Sequence, residues 1–359
     1  MMEAIRFGLI GYGKVAQLHA KALSEATGAR LISVCGRNKT RRDQFASAWN
    51  IASRDNVYEM VALDHVDAVI ITSPHPQHRD HTLEALDAGC HVLVEKPMAL
   101  REAECTEMIQ AAQRSGKYLS VVSQRRWYPS SMRIIDAINA GKIGRPAIGM
   151  AIILGWRDEA YYQSDPWRGR WDTEGGGVCI NQAPHQFDLL HWFMGPVERI
   201  QAEWENVNHP YIEVEDSAVA SIRFANGALG SILVSNSQKP GIYAKVHVHG
   251  TSGASVGVQT DSGAMFIAGR STIAEPPVND LWTIPGEESL LATFVKEDTR
   301  FFSTIDATTY FFTRQIEDFV RAVQTNTRPL VSGEDGRETV RIIEGIYRSG
   351  RTHQSVEYS

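Results

Sequence analysis

The sequence is poor in features that define several specialised protein classes. Only four of its 359 residues are cysteines, at positions 35, 90, 105 and 179, and none has CxxC or other metal-ligand spacing. We therefore expect reduced, mostly buried thiols rather than a disulfide scaffold or a metal site. Dense lysine and arginine blocks are also lacking, and 36 basic against 42 acidic side chains give a formal net charge of -6. That balance argues against a nucleic-acid partner.

Long apolar runs are missing as well. The longest uncharged one, residues 147–156, is too short to span a bilayer, and no cleavable apolar segment opens the sequence. We therefore expect a cytoplasmic protein with no membrane partner. A hydrophobic content of 43% with 22% charged residues is typical of a globular chain, and its length predicts about two domains.

The first part of the chain alternates short β-rich runs with amphipathic stretches, which is the pattern of parallel strands joined by crossover helices. The polar region 52–56 permits no assignment. The predicted strands are residues 5–10, 31–35, 68–72, 91–95 and 118–122, and the predicted helices are 14–26, 77–88 and 101–115. This α/β pattern predicts a doubly wound parallel sheet.

After about residue 146 the pattern changes to alternating strands. Residues 217–224 and 228–235 are separated by Asn226-Gly227, a strong signal for a two-residue hairpin. Further strands are predicted at 244–249 and 256–258, and late helices at 310–325 and 335–349. We expect a second domain, residues 125–359, that holds a large antiparallel sheet.

A glycine-rich turn follows the first strand. Gly11-x-Gly13-x-x-Ala16 fits a tight turn, close approach of a pyrophosphate, and close packing of the next helix on the sheet. Phosphates bind well at the positive end of such a helix. We therefore predict a Rossmann dinucleotide-binding domain at residues 1–124, with cofactor contacts in this turn from Gly11, Tyr12, Gly13, Lys14 and Val15.

The second strand ends without the acidic residue that usually binds the ribose 2′-hydroxyl of NAD. Gly36 and Arg37 stand there instead, with Arg41 and Arg42 expected within reach of a 2′-phosphate. The cofactor is therefore NAD or NADP, with NADP preferred. In the alternative interpretation Arg37 is a solvated loop residue and NAD binds without the carboxylate contact.

Other strand ends also carry candidate cofactor residues, because ligands of such sheets bind over the carboxyl ends of the strands. Thr72, Ser73 and Pro74 end one strand, and Glu95, Lys96 and Pro97 end the next, where the proline directs Lys96 into the same crevice. His78 is expected near the cofactor. We predict no metal site for His75, His78 and His81, because Pro76 and the start of a helix separate them.

In the second domain, Gly175-Gly176-Gly177 precedes a segment rich in functional side chains. Pro184 suits a first helical turn, and in a helix His185 and Asp188 share one face, with Asn181 just before it. Histidine is the usual general base near neutral pH. The alternative is a core histidine that caps the helix.

Aromatic residues concentrate between positions 127 and 192, where five of the eight tryptophans lie. Segment 167–171, with Trp167, Arg168 and Trp171, suggests a sugar-binding loop in which rings stack on the substrate and arginines bind hydroxyls or an anionic group. The predicted substrate-binding residues are Lys96, Arg126, Trp156, Arg157, Trp167, Arg168, Asn181, His185 and Asp188.

Taken together, the motifs resemble those of the glucose-fructose oxidoreductase, inositol dehydrogenase and MocA family, nearly from end to end. The matching stretches are the glycine turn, Thr72-x-Pro74-x-x-x-His78, Glu95-Lys96-Pro97, segment 141–146, the triple glycine through His185-x-x-Asp188, Pro329, Gly336-Arg337 and segment 346–350. The resemblance implies a C-terminal α/β domain with a large, open, mostly antiparallel sheet for substrate binding and oligomerisation. It also implies oxidation of a secondary alcohol on a sugar or cyclitol, and a homodimer or homotetramer formed through the C-terminal sheet.

The same resemblance implies roles for two residues. Lys96 holds the reacting hydroxyl, and His185 takes its proton while hydride passes to nicotinamide C4. The chain departs from many members at Asn181, where they carry aspartate, and an amide cannot raise the pKa of His185 as a carboxylate would. Two other functions stay open: a glycoside hydrolase that oxidises and re-reduces its sugar with bound NAD, and a non-enzymatic nucleotide-sensing regulator.

Overall fold

The computed structural model describes residues 3–260 and 275–358. Its strands are β1 Ile5–Ile10, β2 Ala29–Cys35, β3 Ala52–Arg54, β4 Ala68–Ile71, β5 His91–Val94, β6 Leu119–Val121, β7 Pro146–Leu154, β8 Val197–Glu205, β9 Ser217–Phe224, β10 Leu229–Ser235, β11 Tyr243–Gly250, β12 Ser255–Thr260, β13 Val278–Trp282 and β14 Val356–Glu357. Its α-helices are α1 Lys14–Glu25, α2 Lys39–Trp49, α3 Val57–Asp64, α4 His78–Asp87, α5 Glu102–Ser115, α6 Pro129–Asn139, α7 Glu159–Gln163, α8 Val178–Asn181, α9 Pro184–Met194, α10 Leu290–Phe302, α11 Tyr310–Thr325 and α12 Gly333–Thr352.

The chain forms two compact units. The first contains residues 1–124 and 308–340, and the second contains residues 125–307 and 341–359. The chain passes from the first unit to the second after residue 124, and residues 308–340 return to the first unit. Among the described helices, none is long and apolar enough to cross a membrane.

The first unit is built on a six-stranded parallel sheet of order β3-β2-β1-β4-β5-β6. The order reverses between β1 and β4, and such a reversal creates the ligand-binding crevice of a doubly wound sheet. The inner strands are apolar on both faces because helices cover both: β4 is wholly buried. The predicted Rossmann sheet is confirmed.

Residues 308–340 join the first unit because α11 is strongly amphipathic. Its Ile316, Phe319 and Val320 are buried in one cluster with Phe7 and Leu9 of β1, which are entirely buried. Such burial contributes about 1.5 to 3 kcal/mol for each large apolar side chain. The helix therefore completes the core beside β1, which lies some 300 residues earlier in the sequence.

The second unit contains an eight-stranded sheet of order β13-β12-β11-β7-β10-β9-β8-β14. Pairing is antiparallel except between β7 and β10, so the predicted mostly antiparallel sheet is confirmed. Asn226 and Gly227 form the hairpin turn, with Gly227 at a φ of 81° and Phe224 N donating to Ala228 O at 2.9 Å. Helix α9 packs on one face of this sheet.

Candidate active site

The turn between β1 and α1 has room for a phosphate-bearing ligand. Gly11 has a φ of 109°, and a Cβ there would lie 2.8 Å from Thr72 Oγ1, so glycine is required. At Gly13, which precedes the first residue of α1, a Cβ would meet no atom within 4 Å. The first helical turn holds no acidic residue to repel a phosphate. This uncrowded helix start fits the pyrophosphate of a dinucleotide. The predicted cofactor residues of this turn are all half-buried: Gly11, Tyr12, Gly13, Lys14 and Val15.

The end of β2 is organised around Tyr12. Its ring lies against Gly36, where a Cβ would approach Tyr12 Cε1 to 2.5 Å. The Tyr12 hydroxyl accepts a hydrogen bond from Asn38 N at 2.7 Å. Arg37 is exposed beside this contact, and the guanidinium of Arg41 lies 5.6 Å from the centre of the Tyr12 ring. These two arginines remain candidates for a 2′-phosphate.

Arg42 corrects the sequence-based expectation for this region. It is only 4% exposed, and its guanidinium donates to Gly36 O at 2.9 Å and to Ser53 Oγ at 2.8 Å. It also pairs with Asp55 at 2.5 Å. Because these contacts hold the guanidinium inside the protein, Arg42 supports the loop after β2 and is not in reach of a cofactor phosphate.

Thr72, Ser73 and Pro74 follow β4, the neighbour of β1. Thr72 N donates to Ile10 O at 2.9 Å, which continues the pairing of the two strands to their ends. Thr72 and Ser73 are half-buried, and Pro74 is exposed. The three residues therefore lie at the same edge of the sheet as the glycine turn.

His78 joins two of these strand ends. Its Nδ1 lies 2.7 Å from Pro97 O and its Nε2 lies 2.8 Å from Ser73 O, with the ring buried. Burial lowers the pKa of His78. His81 Nδ1 contacts Ser73 Oγ at 2.8 Å. These contacts make His78 a support for the loops at Ser73 and Pro97, and its predicted contact with a cofactor stays a prediction.

The backbone of Lys96 is anchored by the preceding residue. Glu95 Oε2 accepts from Lys96 N at 3.0 Å, and Glu95 Oε1 lies 2.7 Å from His19 Nε2. Burial of Glu95 opposes ionisation, but the hydrogen bond and charge of His19, together with Lys96, outweigh it and lower the pKa of Glu95. The Lys96-Pro97 peptide bond is cis, and Lys96 is half-buried at the end of β5.

In the second unit, the triple glycine makes room for protein rather than for a ligand. A Cβ on Gly176 would lie 2.0 Å from the Tyr347 hydroxyl, and one on Gly177 would lie 1.8 Å from Glu215 O. The Glu215 carboxylate accepts from Gly177 N at 2.8 Å and from Cys179 N at 3.0 Å. It also accepts from the Tyr347 hydroxyl at 2.9 Å. Glu215 therefore fixes the start of α8.

His185 is half-buried at the second residue of α9, directly after Pro184. The helix below it is held by a buried ion pair: Arg126 donates to the two oxygens of Asp188 at 2.9 and 2.7 Å. Because Arg126 is 1% exposed and Asp188 is 2% exposed, they support the helix. This corrects the predicted substrate contact of both residues.

A polar network surrounds Asn181 and Gln182, which are half-buried before α9. Asn181 Nδ2 donates to Glu174 Oε1 and approaches the Tyr161 hydroxyl at 3.4 Å. That hydroxyl also accepts from Gln182 Nε2 at 2.9 Å and from Arg168 Nη1 at 2.5 Å. Asn181 and Arg168, two of the predicted substrate residues, thus meet at one phenol oxygen.

The predicted aromatic and arginine residues divide into two groups. Arg168 lies over the rings of Tyr161 and Trp167, at 4.3 and 4.5 Å from their centres. Arg157 lies 5.4 Å from the Tyr161 ring and donates to Trp156 O at 2.7 Å. Because Trp156, Arg157, Trp167 and Arg168 are all half-buried, they retain surface for a ligand.

Trp171 belongs to the other group. Its ring packs on Trp204 and Tyr347, with centres 5.5 and 5.2 Å away. Its Nε1 donates to Glu213 O at 2.9 Å, and Arg351 lies 5.1 Å from its centre. These contacts give the Trp171 ring a packing role; because Trp171 is also half-buried, its place in a sugar-binding loop stays a prediction.

Several residues of this region were not predicted as site residues. Tyr161, Gln182, Glu215 and Tyr347 come together only through folding. Glu174 had one weak signal, since it stands directly before the three glycines. Burial raises the pKa of Glu174 and of Glu215 to about 7, although the hydrogen bonds that each carboxylate accepts lower it.

Two family models match most of the chain. One is described as an oxidoreductase family with an NAD-binding Rossmann fold and matches residues 5–123. The other is described as a GFO/IDH/MocA C-terminal domain and matches residues 132–256. The two matches follow one another along the chain and correspond to the parallel sheet and to most of the mixed sheet.

Individual proteins show the same similarity. The chain is 27% identical to 1,5-anhydro-D-fructose reductase of Ensifer adhaerens, over 98% of each sequence. It is 27% identical to scyllo-inositol 2-dehydrogenase (NAD+) of Bacillus subtilis, over 70% of this chain and 73% of that protein. The structure of the WlbA dehydrogenase of Bordetella pertussis, in complex with NADH and UDP-GlcNAcA, matches with a TM-score of 0.85 and 26% identity. That match covers 99% of this chain and 98% of the other.

Proposed function

This chain belongs to the glucose-fructose oxidoreductase, inositol dehydrogenase and MocA family, and from that premise we propose that it oxidises a secondary hydroxyl of a sugar, sugar derivative or cyclitol. It is an oxidoreductase with an NAD-binding domain. The named activities of the Ensifer and Bacillus relatives and the sugar nucleotide bound to WlbA support this substrate class. They favour net oxidation or reduction over redox-cycling hydrolysis and over a regulatory role.

One observation in the first unit carries the proposal. Lys96 follows β5, at the same edge of the parallel sheet as the glycine turn, and Glu95 holds its backbone. The space at Gly13 suits a pyrophosphate, and we therefore assign the Lys96 ammonium group to the dinucleotide-binding edge of the sheet. An ammonium beside a hydroxyl stabilises the alkoxide that develops as hydride leaves the carbon.

The two catalytic residues have complementary roles in this proposal. The nicotinamide ring, when bound, accepts or returns the hydride. Lys96 binds the reacting hydroxyl, and His185 accepts its proton, since a neutral imidazole is a suitable base near neutral pH. In the reducing direction His185 returns the proton to the new alkoxide.

The remaining substrate contacts follow from half-buried residues near His185 in the sequence. We assign hydroxyl or anion binding to Arg157, Arg168 and Asn181, and ring stacking to Trp156 and Trp167. All five side chains are half-buried, and arginine on an aromatic face keeps a planar set of donors for hydroxyl or carboxylate groups.

The experiment is a turnover assay with purified protein. NAD+ and NADP+ are each mixed with a panel of cyclitols, aldoses, anhydro sugars, glycosides and nucleotide sugar acids. A dehydrogenase accumulates reduced cofactor in proportion to substrate. Release of an aglycone without net reduced cofactor would instead indicate the hydrolase, and tight cofactor binding without turnover would indicate the regulator.

Two alanine variants test the catalytic assignments. We expect Lys96→Ala and His185→Ala each to lower kcat by about 100-fold or more, the usual size for loss of a general acid or base. Lys296→Ala and His353→Ala are matched controls, because both residues are exposed and lie outside the proposed site. Unchanged turnover in either catalytic variant would overturn its assigned role.

For the cofactor we propose a preference for NADP. Arg37 and Arg41 are exposed beside Tyr12, and no carboxylate ends β2. A 2′-phosphate on the ribose would pair there with the two guanidinium groups. The 2′-hydroxyl of NAD would lack the carboxylate that usually accepts its hydrogen bond.

We also propose a homodimer or homotetramer formed through the second unit's sheet, in a protein of the cytoplasm. The face opposite α9 carries large exposed apolar residues on three neighbouring strands. Leu229 pairs with Ile148, and Leu233 pairs with Val219; each is 40% exposed or more. A contiguous apolar patch of this kind is typical of an interface between subunits.

A further inference from the structure

A buried carboxyl lies beside the histidine segment. Glu174 is 1% exposed. One of its oxygens accepts from Gly169 N at 2.5 Å, and the other accepts from Asn181 Nδ2. Each carboxyl oxygen therefore faces an N–H donor, and this arrangement suits the ionised form, which only accepts hydrogen bonds.

The contact with Glu174 determines the direction of the Asn181 amide. A primary amide donates through its nitrogen and accepts through its oxygen. Because Nδ2 donates to Glu174 and lies 3.4 Å from the Tyr161 hydroxyl, the planar group directs Oδ1 away from the carboxylate. Asn181 is half-buried and ends α8, three residues before α9 begins.

The charged and ionisable groups that act on Glu174 most strongly lie on its own loop, on α7 and at Glu215. Arg168, on the same loop, favours the carboxylate, whereas burial and the charge of Glu215 oppose it. Tyr161 and Tyr162 of α7 face it as neutral phenols, since burial raises the pKa of each. The balance leaves the pKa of Glu174 at about 7, so both of its protonation states are accessible near neutral pH.

We propose that Glu174 is a positioning residue that acts through Asn181: its carboxylate holds the amide with Oδ1 available to a substrate hydroxyl, and its protonation releases that orientation. Protonation makes one oxygen of Glu174 a donor and a poorer acceptor, so the hydrogen bond from the N–H group that faces this oxygen is weakened. The Asn181 amide then gains a hydrogen bond by turning Oδ1 toward the protonated carboxyl, which donates to it. This inference deepens the proposed function and depends on it.

The first test follows the amide itself and needs no activity. In protein isotope-labelled at asparagine, the side-chain NMR signals of Asn181, assigned by their loss in Asn181→Asp, are recorded across pH. We expect them to shift with a midpoint near neutrality in wild type and to lose that shift in Glu174→Gln. Asp172→Asn is the control, since Asp172 is an exposed acid on the same loop. A shift that persists in Glu174→Gln would overturn the proposal.

The second test uses the substrate found in the turnover assay. Loss of a hydrogen bond that a charged group maintains corresponds to about a tenfold weaker interaction, so we expect Glu174→Gln to raise the substrate KM by about tenfold with a smaller change in kcat. The KM of wild type should rise toward that of the variant as the pH falls below 7. Glu174→Gln should add nothing to Asn181→Ala if it acts through the amide. Additive effects of the two substitutions on KM would mean that Glu174 does not act through the amide. A wild-type protein without turnover would contradict the proposed function but not the NMR test of Asn181.

Discussion

At the residue scale, burial separates side chains of the same type. Arg37 and Arg42 lie five positions apart in a segment with several basic residues, yet Arg37 is exposed and Arg42 is enclosed by Gly36 O and Ser53 Oγ. An exposed guanidinium can meet a ligand phosphate, whereas a buried one compensates for the loss of its hydration by hydrogen bonds within the protein.

The cofactor preference can be tested at these two arginines. Because Arg37 is exposed at the end of β2, Arg37→Ala should lower kcat/KM for NADP by about tenfold and leave that for NAD nearly unchanged. Arg42→Ala should instead lower the free energy of unfolding by about 1 to 3 kcal/mol, since it leaves buried acceptors without a donor. Steady-state kinetics and urea denaturation measure the two effects. Equal losses with both cofactors in Arg37→Ala would contradict the NADP preference.

The Arg126–Asp188 pair gives a second prediction at this scale. Arg126→Met should lower the free energy of unfolding by about 3 to 5 kcal/mol, because it leaves a buried carboxylate without its partner. Arg126→Met combined with Asp188→Leu should recover much of the loss, since it removes both charges. Chemical denaturation of the single and double variants measures this recovery. A double variant no more stable than Arg126→Met would argue against a purely supporting role.

At the element scale, the short helix α8 depends on a residue outside itself. It has only four residues, too few to be stable alone. The Glu215 carboxylate binds two backbone N–H groups at its start, and Tyr347 holds the same carboxylate. Residues 176 and 177 can be only glycine where Tyr347 and Glu215 approach so closely.

This arrangement makes the stability depend on pH. The pKa of Glu215 is about 7 in the folded protein, above its ordinary value of 4.5, so the folded state keeps this proton to a higher pH than the unfolded state. The free energy of unfolding should therefore fall, by about 3 kcal/mol for this group, as the pH rises from about 4.5 through 7.

Glu215→Gln should remove that contribution and flatten the dependence of stability on pH. Urea denaturation across this pH range measures the change. Glu213→Gln is the matched control, since Glu213 is an exposed acid two residues earlier and surface charges contribute little. If the free energy of unfolding depended on pH in Glu215→Gln as it does in wild type, the Glu215 carboxyl would not titrate in this pH range.

Prediction of the elements succeeded where the local pattern was strong. The predicted β1, β9 and α11 have the bounds that the structure shows, because apolar residues repeat there with the strand or helix period. The region left unassigned contains β3, a three-residue edge strand. Helix α2 was missed because its sequence is mostly polar and buries only Arg42, Phe45 and Ala46.

At the scale of the whole molecule, contacts between distant parts of the sequence define the units. Gln315 of α11 accepts from Ser123 N at 2.9 Å and donates to Val121 O at 2.7 Å. These bonds satisfy one backbone group at the end of β6 and one just beyond it. No local pattern near residue 315 indicates this partner, so the late return of the chain to the first unit was not predicted.

The exposed sheet face gives a prediction at the same scale. Leu229→Glu with Leu233→Glu places two carboxylates on the proposed subunit interface, and burial of unpaired charges strongly opposes association. We expect the double variant to be monomeric by light scattering, with an unchanged circular dichroism spectrum. Leu63→Glu is the control, because Leu63 is an exposed leucine of α3, outside this sheet. An unaltered oligomer in the double variant would place the interface elsewhere.

The sequence by itself determined the chemistry that the chain carries and its order: the glycine turn, Lys96 at a strand end, His185 after a proline, and the change from parallel to antiparallel sheet. These features depend on local spacing and periodicity, which a linear sequence displays. Only the tertiary structure decided that Arg42, Arg126, Asp188 and Trp171 support the fold and that Glu174 faces Asn181. Burial and hydrogen-bond partners arise from residues brought together by folding, so the same side chain can serve a ligand or the core according to what packs around it.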